Sequence, residues 1–319
     1  MTWLITGGAG YIGAHVARDF AATGKEVLVL DSLASGSRSF VGGLPFAHVD
    51  LLDKAALADV FNTHSIIGVV HLAGFKYAGE SVQKPIHTYR QNVEATLNLL
   101  DAMAENGVEN LVFSSSAAVF GTPKTDLVTE DTPTAPESPY GESKLIGEWL
   151  IAAQAKAVPL NHVSLRYFNV VGSKYPEVFD TSPYNLFPKI FDMLLAGQTP
   201  IIFGNDYETS DGTAVRDYVD VGDISAAHLV AAKRLEAGEK LEGVYNLGSG
   251  SGTSVAEIMD AMREVIGVPF VPEIGPRRAG DPARIVASGE KAARDLDWRI
   301  TKTLAEMVES AWNARENSK

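Results

Sequence analysis

The sequence predicts an α/β protein in which a doubly wound parallel sheet is followed by a smaller C-terminal domain. Short apolar runs alternate with longer helical stretches up to about residue 169, a pattern typical of parallel sheets with helices on both faces. The first apolar run ends in a glycine-rich turn. Beyond residue 169 the elements become shorter and long polar connections join them, which indicates a second domain.

The composition is that of an ordinary globular protein without polyanionic partners. The 319 residues are 45% hydrophobic and 21% charged, and a net charge of −13 argues against binding nucleic acid or an anionic membrane. No apolar run reaches the length of a membrane span. There is no cysteine, which excludes disulfides and fits a cytoplasmic location. None of the seven histidines shows metal-ligand spacing, so we expect no metal.

A glycine-rich turn after the first predicted strand indicates a dinucleotide site. The strand covers residues 2–6, the stretch Gly7-Gly-Ala-Gly-Tyr-Ile-Gly13 follows, and a helix is predicted over 14–22. The glycines at three-residue intervals are Gly7, Gly10 and Gly13. They let the backbone approach a pyrophosphate at the helix N-terminus. Asp31, which ends the next strand, would bond a ribose diol and repel a 2′-phosphate. The pattern therefore predicts a Rossmann-type domain that prefers NAD over NADP.

Further predicted strands place polar or small residues at one edge of the sheet. These strands cover residues 26–30, 45–49, 66–72, 109–113 and 162–166. Because ligands bind at the carboxyl ends of parallel strands, we expect the strand ends to form one wall of a cleft. The strand-end residues are Asp31, Asp50, Ala73, Gly74, Ser116, Tyr167, Phe168 and Asn169. We predict an NAD-binding domain over 1–169, with returning segments near 215–237, and a substrate-binding domain over 170–319.

The stretch Ser138-Pro-Tyr-Gly-Glu-Ser-Lys144 carries candidate acid/base chemistry. Its proline precedes a helical run, so Tyr140 and Lys144 are expected one turn apart on one helix face. A cation beside the phenol would lower the pKa of Tyr140 towards neutrality. Ser116 lies 24 residues before Tyr140, at a strand end. The three residues suit proton removal from a secondary alcohol while NAD takes the hydride. A hydrolytic serine would need a histidine base and an orienting acid, and no such arrangement is evident.

Several stretches resemble the extended short-chain dehydrogenase/reductase family, and within it the nucleotide-sugar epimerases. They are Gly7 to Gly13, Phe113 to Gly121, Ser138 to Lys144, Arg166 to Asn169, Phe203 to Tyr207, Asp211 to Tyr218 and Pro276 to Asp281. The resemblance runs from residue 2 to about residue 313. It implies an isomerase with tightly bound NAD that interconverts UDP-glucose and UDP-galactose. The sugar would be oxidised transiently at C4 to a 4-keto intermediate, and hydride would return to the opposite face.

The resemblance also assigns roles to individual residues. It implies NAD contacts at Gly7, Gly10, Tyr11, Ile12, Gly13, Asp31, Asp50, Leu51, Leu72, Ala73, Gly74, Lys76, Asn92, Ser116, Tyr140, Lys144 and Phe168. It implies contacts to the UDP-hexose at Ser116, Tyr140, Asn169, Asn185, Leu186, Ile201, Phe203, Arg216, Arg278, Asp281 and Ile285. Arg216 and Arg278 suit a diphosphate because the guanidinium fork matches phosphate oxygens.

A homodimer is a further implication of the resemblance. The expected interface is formed by the helices over residues 85–105 and 140–155, with apolar positions such as Leu150 and Ile151 facing the partner.

Three positions depart from the family pattern. Asp220 stands where histidine is usual and Phe120 where tyrosine is usual. In the family, the residue at the position of Ile285 controls the room around the sugar C2 substituent, and a residue smaller than tyrosine there leaves space. The resemblance therefore implies that UDP-N-acetylhexosamines are accepted as well.

Functions besides interconversion of the two UDP-hexoses stay open on the sequence. A nucleotide-sugar 4,6-dehydratase shares the cofactor site, but it needs an acid and a base where this chain has Ala117-Ala118. An epimerase of different sugar specificity and a non-catalytic NAD-sensing relative would share most of the same motifs.

Overall fold

The computed structural model describes residues 1–278 and 281–318, and a seven-stranded parallel sheet lies at its centre. The strands are β1 (Thr2–Thr6), β2 (Glu26–Asp31), β3 (Phe46–His48), β4 (Ile66–His71), β5 (Asn110–Ser114), β6 (Asn161–Tyr167), β7 (Asn169–Val171), β8 (Ile201–Phe203), β9 (Val215–Arg216), β10 (Tyr218–Asp220), β11 (Val244–Leu247), β12 (Thr253–Ser254), β13 (Glu273–Gly275) and β14 (Arg284–Ile285). The central sheet has the order β11-β6-β5-β4-β1-β2-β3. The predicted α/β class with a doubly wound parallel sheet is confirmed.

Helices cover both faces of this sheet and build most of the second lobe. They are α1 (Tyr11–Ala22), α2 (Arg38–Val41), α3 (Lys54–Thr63), α4 (Ala78–Gln83), α5 (Pro85–Tyr89), α6 (Ala95–Glu105), α7 (Pro139–Ala157), α8 (Leu186–Leu195), α9 (Val221–Glu236), α10 (Val255–Ile266), α11 (Glu290–Leu296) and α12 (Leu304–Glu316). A π-helical turn (Arg90–Glu94) joins α5 to α6, and a 3₁₀ turn (Ala117–Phe120) follows β5. Among the described residues no helix is both long and apolar enough to cross a membrane.

The alternation of side chains along β1 shows how the two faces of the sheet are covered. Trp3 and Ile5 point into a core shared with α1 and α9, where Phe20 and Ile224 are buried. Leu4 points to the opposite core, formed with α3, α6 and α7. Successive side chains of a strand face opposite sides, so a strand that is apolar throughout is stable only when both sides are covered.

The second lobe consists of short strand pairs packed against α8, α10 and α12. Strand β7 pairs with β10, β8 with β13, and β9 lies between β12 and β14. A separate apolar core, which includes Phe187, Phe191, Met259 and Val308, holds these helices together. Because β7 begins two residues after β6 ends, this lobe is anchored directly at the carboxyl edge of the central sheet.

Two features of the fold differ from the sequence-based expectations. The helix predicted over 85–105 is interrupted by the π-helical turn, which carries the buried side chain of Asn92. Strand β11, from the predicted substrate-binding domain, pairs with β6 and forms one edge of the central sheet. The predicted returning segment near 215–237 contains α9, which packs against α1 of the NAD-binding domain. The prediction did not include β11, which also returns to that domain. A single boundary at residue 169 therefore does not separate the two packed units, because segments after it belong to the central sheet and its helices.

Candidate active site

A cavity of about 1030 Å³ lies between the carboxyl edge of the central sheet and the second lobe. Most residues that were assigned to NAD from the sequence line it: Gly7, Gly10, Tyr11, Ile12, Gly13, Asp31, Asp50, Leu51, Leu72, Ala73, Gly74, Lys76, Ser116, Tyr140, Lys144 and Phe168. The assigned sugar-binding residues in its wall are Asn169, Asn185, Leu186, Arg216, Arg278 and Asp281. Of the described residues that were assigned to the site, Asn92, Ile201, Phe203 and Ile285 lie outside this wall.

The glycine-rich turn forms a tight cradle at the start of α1. A Cβ atom on Gly13 would lie 2.2 Å from the Gly7 carbonyl oxygen, and one on Gly7 would lie 2.6 Å from the Ala73 nitrogen. Gly7 also has a φ of 70°, which a side chain would disfavour. Gly10 offers no side chain to cap α1, so N–H groups of the first turn are available for an anion. These features fit a pyrophosphate that approaches the backbone closely.

Asp31, which the sequence assigns to a ribose contact, lies in the cavity wall and is held by two backbone donors. Its Oδ2 accepts a hydrogen bond from the Ala9 nitrogen at 3.0 Å, and its Oδ1 accepts one from the Leu33 nitrogen at 2.7 Å. Both bonds fix the orientation of the carboxylate, and each oxygen keeps a lone pair for a hydroxyl donor. A ribose diol therefore fits here, whereas a 2′-phosphate would face a fixed negative charge.

Asn92 lies outside the cavity and binds the backbone of Phe75, which lines it. Its Oδ1 accepts from the Phe75 nitrogen at 2.6 Å, and its Nδ2 donates to the Phe75 carbonyl at 3.0 Å and to Ser143 Oγ at 2.7 Å. A Cβ on Gly74 would lie 2.8 Å from Asn92 Oδ1. Asn92 thus fixes the turn after β4 against α7, and π-helical turns of this kind are frequent at functional sites.

Tyr140 and Lys144 project from the first turns of α7 towards the end of β5. Ser138 caps the helix by accepting from the Gly141 nitrogen at 3.2 Å, and Pro139 is its first residue. Lys144 Nζ lies 6.0 Å from the centre of the Tyr140 ring and donates to the Ser114 carbonyl at 2.8 Å. The i, i+4 spacing therefore brings phenol and ammonium to one face beside Ser116, as the sequence predicts.

The pKa of Tyr140 does not follow the expectation from sequence. Burial raises this pKa above the ordinary value for tyrosine, and a hydrogen bond with the Ser116 hydroxyl opposes the shift only in part. Burial also lowers the pKa of Lys144 to about 8, against the raising effect of Glu148. The prediction of a lowered phenol pKa weighed the charge of Lys144 but not the desolvation of both groups.

The opposite wall carries Arg216 and Arg278, and Arg216 is paired with an acid of the same wall. Arg216 Nη2 donates to Asp281 Oδ1 at 2.6 Å, and Arg216 Nη1 donates to the Val215 carbonyl at 2.8 Å. The Arg278 guanidinium lies 4.3 Å from the centre of the Phe203 ring, so Phe203 supports an arginine of the wall from outside. Asn185 Nδ2 donates to Asp180 Oδ2 at 2.7 Å.

Several residues of the cavity were not expected from the sequence. The Tyr77 and Tyr184 rings meet edge to face across the cleft, with 5.2 Å between their centres. Asp180 also lines the cavity, and burial raises the pKa of its carboxyl. Tyr77 and Tyr184 are direct neighbours of the assigned Lys76 and Asn185, but no periodic pattern marks them. Their position depends on loops that belong to different lobes.

The site combines a glycine cradle, the Asp31 carboxylate and a buried tyrosine beside a lysine and a serine. This combination is that of an NAD-dependent enzyme that acts on an alcohol. The chain belongs to the NAD dependent epimerase/dehydratase family, whose model matches residues 3–248. It is 42% identical to a UDP-glucose 4-epimerase of Halalkalibacterium halodurans, over 98% of this chain and 95% of the relative. The family resemblance seen in the sequence is confirmed.

Solved structures share the whole architecture. A UDP-glucose 4-epimerase from Brucella ovis in complex with NAD has a TM-score of 0.94 at 35% identity, covering 98% of this chain and 97% of that chain. The UDP-Glc/GlcNAc 4-epimerase from Campylobacter jejuni has a TM-score of 0.87 at 37% identity, covering 99% of each chain.

We predict that Asp31→Asn weakens NAD binding and narrows the preference for NAD over NADP. The substitution keeps the shape but removes a charge-assisted hydrogen bond to the ribose diol, worth about 1.5–3 kcal/mol. Isothermal titration of cofactor-stripped protein with both dinucleotides measures the change. Asp101→Asn, at a carboxylate that is 66% exposed, is the control and should leave both affinities unchanged. An unchanged ratio in Asp31→Asn would remove Asp31 from ribose recognition.

Proposed function

We propose that the protein is a UDP-hexose 4-epimerase that interconverts UDP-glucose and UDP-galactose with NAD bound in the glycine cradle. The observation that carries this proposal is that one cavity is lined both by the candidate acid/base residues and by the candidate diphosphate-binding arginines. Tyr140, Lys144 and Ser116 lie on the sheet side, and Arg216 and Arg278 lie on the opposite side. A nucleotide sugar held by the arginines would present its sugar hydroxyls to the phenol.

The residues of this chain supply binding and proton transfer. Bound NAD supplies a hydride acceptor and donor and a fixed positive charge. Tyr140, as its phenolate, would take the proton from the sugar C4 oxygen, and the resulting phenol would later return it. Ser116 would hydrogen-bond the same oxygen. Lys144 would favour the phenolate, whose formation burial alone disfavours.

The residues after Ser116 favour epimerisation over elimination. A 4,6-dehydratase needs an acid and a base beside the serine, and the 3₁₀ turn presents Ala117 and Ala118 there. Methyl side chains transfer no protons. Retention of both Tyr140 and Lys144 also favours an enzyme over a non-catalytic NAD-sensing protein. Oxidation and return at a single carbon is the chemistry that these side chains support.

We expect Tyr140→Phe to lower kcat for UDP-galactose by roughly 10²–10⁴-fold because the only change is loss of the proton-transferring hydroxyl. The measurement is formation of UDP-glucose without added NAD, together with the amount of NAD that co-purifies. Tyr245→Phe, at a fully buried tyrosine of β11, is the matched control and should retain activity. Net release of NADH or a deoxy-keto sugar from the wild-type protein would refute the epimerase proposal.

N-acetylated sugars are proposed as additional substrates. Ile285 lies outside the cavity wall but is paired on β14 with Arg216, which is part of that wall. A tyrosine in its place would extend towards the cavity and narrow the space for a C2 substituent. We expect the wild type to convert UDP-N-acetylglucosamine. Ile285→Tyr should lower kcat/KM for that sugar by about tenfold or more while UDP-galactose is spared. Ile285→Val is the control. A wild type that converts only UDP-galactose would contradict this proposal.

We also propose a homodimer through α4, α5, α6 and α7. Of the two residues that the sequence suggested for this interface, Ile151 is wrong because it is fully buried within the chain, whereas Leu150 is partly exposed. Large apolar side chains that are exposed on these helices are Val82, Ile86, Leu97 and Trp149, and 61% of Trp149 is accessible. We propose that a partner covers these side chains, because apolar surface buried between two chains stabilises their association.

Light scattering after size-exclusion chromatography tests the dimer. We expect about twice the 34.1 kDa of one chain for the wild type, and a monomer for Trp149→Glu because a charge would be buried at the interface. Val271→Glu, at a residue that is 81% exposed in the second lobe, is the control. A monomeric wild type would refute the proposal.

A further inference from the structure

Three ionisable side chains lie at successive turns of α7, and the proposed reaction uses only two of them. Tyr140, Lys144 and Glu148 are spaced by four residues and therefore lie along one helix face. Glu148 is buried and is not among the described residues that line the cavity. Its Oε1 accepts a hydrogen bond from Ser115 Oγ at 2.5 Å. This bond connects α7 to the residue immediately before Ser116.

Glu148 is itself held by a buried arginine. Arg166, on β6, donates from Nε to Oε1 at 2.8 Å and from Nη2 to Oε2 at 2.6 Å. The two side chains are only 6% and 7% exposed. A bidentate pair has a defined geometry, but burying two charges costs about as much free energy as their attraction returns. The pair therefore adds little to the stability of the fold, which suggests that its position beside Tyr140 and Lys144 serves the reaction.

The pair and Lys144 together fix the segment that carries Ser116. Lys144 Nζ donates to the Ser114 carbonyl, and Glu148 binds the Ser115 hydroxyl, so α7 contacts two consecutive residues. The Ser115 nitrogen donates to the Leu165 carbonyl at 2.9 Å, which ties the same segment to the neighbouring strand. Ser116 follows directly, and its distance from Tyr140 is set by these bonds.

We propose that the Glu148–Arg166 ion pair is a positioning element for the epimerase reaction: it fixes Ser116 against Tyr140 and keeps Lys144 in its charged form. The carboxylate lies one turn from the ammonium, and it raises the pKa of Lys144 against the lowering effect of burial. Without this carboxylate, Lys144 would lose its proton at lower pH and could no longer favour the phenolate. The activity measurements below rest on the proposed function; the labelling measurement does not.

Glu148→Gln is the first test, since it keeps the size of the side chain and removes its charge. We expect kcat for UDP-galactose to fall about tenfold or more with KM within threefold. The decline of kcat at alkaline pH should move to lower pH because Lys144 deprotonates earlier. Ser115→Ala should lower kcat without moving that decline, since the ion pair stays in place. A merely structural role would not move the pH profile.

A matched control is Asp19→Asn. Asp19 is a buried carboxylate that also accepts from a serine hydroxyl, that of Ser225 at 2.7 Å, and from a lysine, Lys174. It lies outside the described cavity wall. Any loss of stability from removing a buried carboxylate should appear here too, with kcat and the pH profile unchanged.

Competitive acetylation of Lys144 in the folded protein gives a readout independent of turnover. Peptide mass spectrometry measures the fraction of Lys144 modified at each pH, and Glu148→Gln should shift this curve to lower pH. If Glu148→Gln does not fold, Glu148→Met with Arg166→Met replaces it, because apolar replacement of both partners is tolerated where loss of one is not. The double variant should shift the curve in the same direction but by less, because the Arg166 cation is removed together with the carboxylate, and it should also lower kcat.

A folded variant without the carboxylate that keeps the wild-type kcat and labelling curve would overturn the proposal. If the wild type shows no epimerase activity, the proposed function fails. The labelling curve then still decides whether Glu148 keeps Lys144 charged.

Discussion

The hydrogen bond from Lys144 to the Ser114 carbonyl is the interaction on which the geometry of the proposed active site depends. It attaches the first turns of α7 to the end of β5, so the helix that carries the phenol is fixed to the strand that delivers Ser116. Burying an ammonium group is unfavourable unless its donors find acceptors. The bond therefore requires α7 to lie directly against the end of β5. The hydrogen bonds of Asn92 with Ser143 and of Glu148 with Ser115 hold the helix in this position.

The parallel sheet explains why so many separate stretches reach one cavity. All seven strands of the central sheet run in the same direction, so their carboxyl ends meet at one edge. The second lobe starts at that edge, and β11 returns from it to pair with β6. The two walls of the cavity are thus covalently and sterically linked at the edge. This linkage places the arginines of one wall opposite the phenol of the other.

Electrostatics in the site shows a conflict between burial and charge. Burial raises the pKa of Tyr140 and lowers that of Lys144, so each group is shifted away from the charged form that the proposed proton transfer needs. Ser116 and Glu148 oppose these shifts from opposite sides. A fixed positive charge from the cofactor would also favour the Tyr140 phenolate, but it would disfavour the charged form of Lys144 because like charges repel. The chain thus buries both groups, and their protonation states depend on the charges and hydrogen bonds beside them.

The sequence by itself determined the α/β class, the glycine cradle with Asp31, and the Tyr140–Lys144 pair, because these depend on local spacing and strand–helix order. The family resemblance added the arginines of the second lobe. Tertiary structure alone decided the rest. It placed Asn92 behind the cavity wall, Ile151 in the core and β11 in the central sheet, and it paired Glu148 with Arg166. It also reversed the expected direction of the Tyr140 pKa. Burial and contacts between distant segments are properties of packing, and no local pattern of residues specifies them.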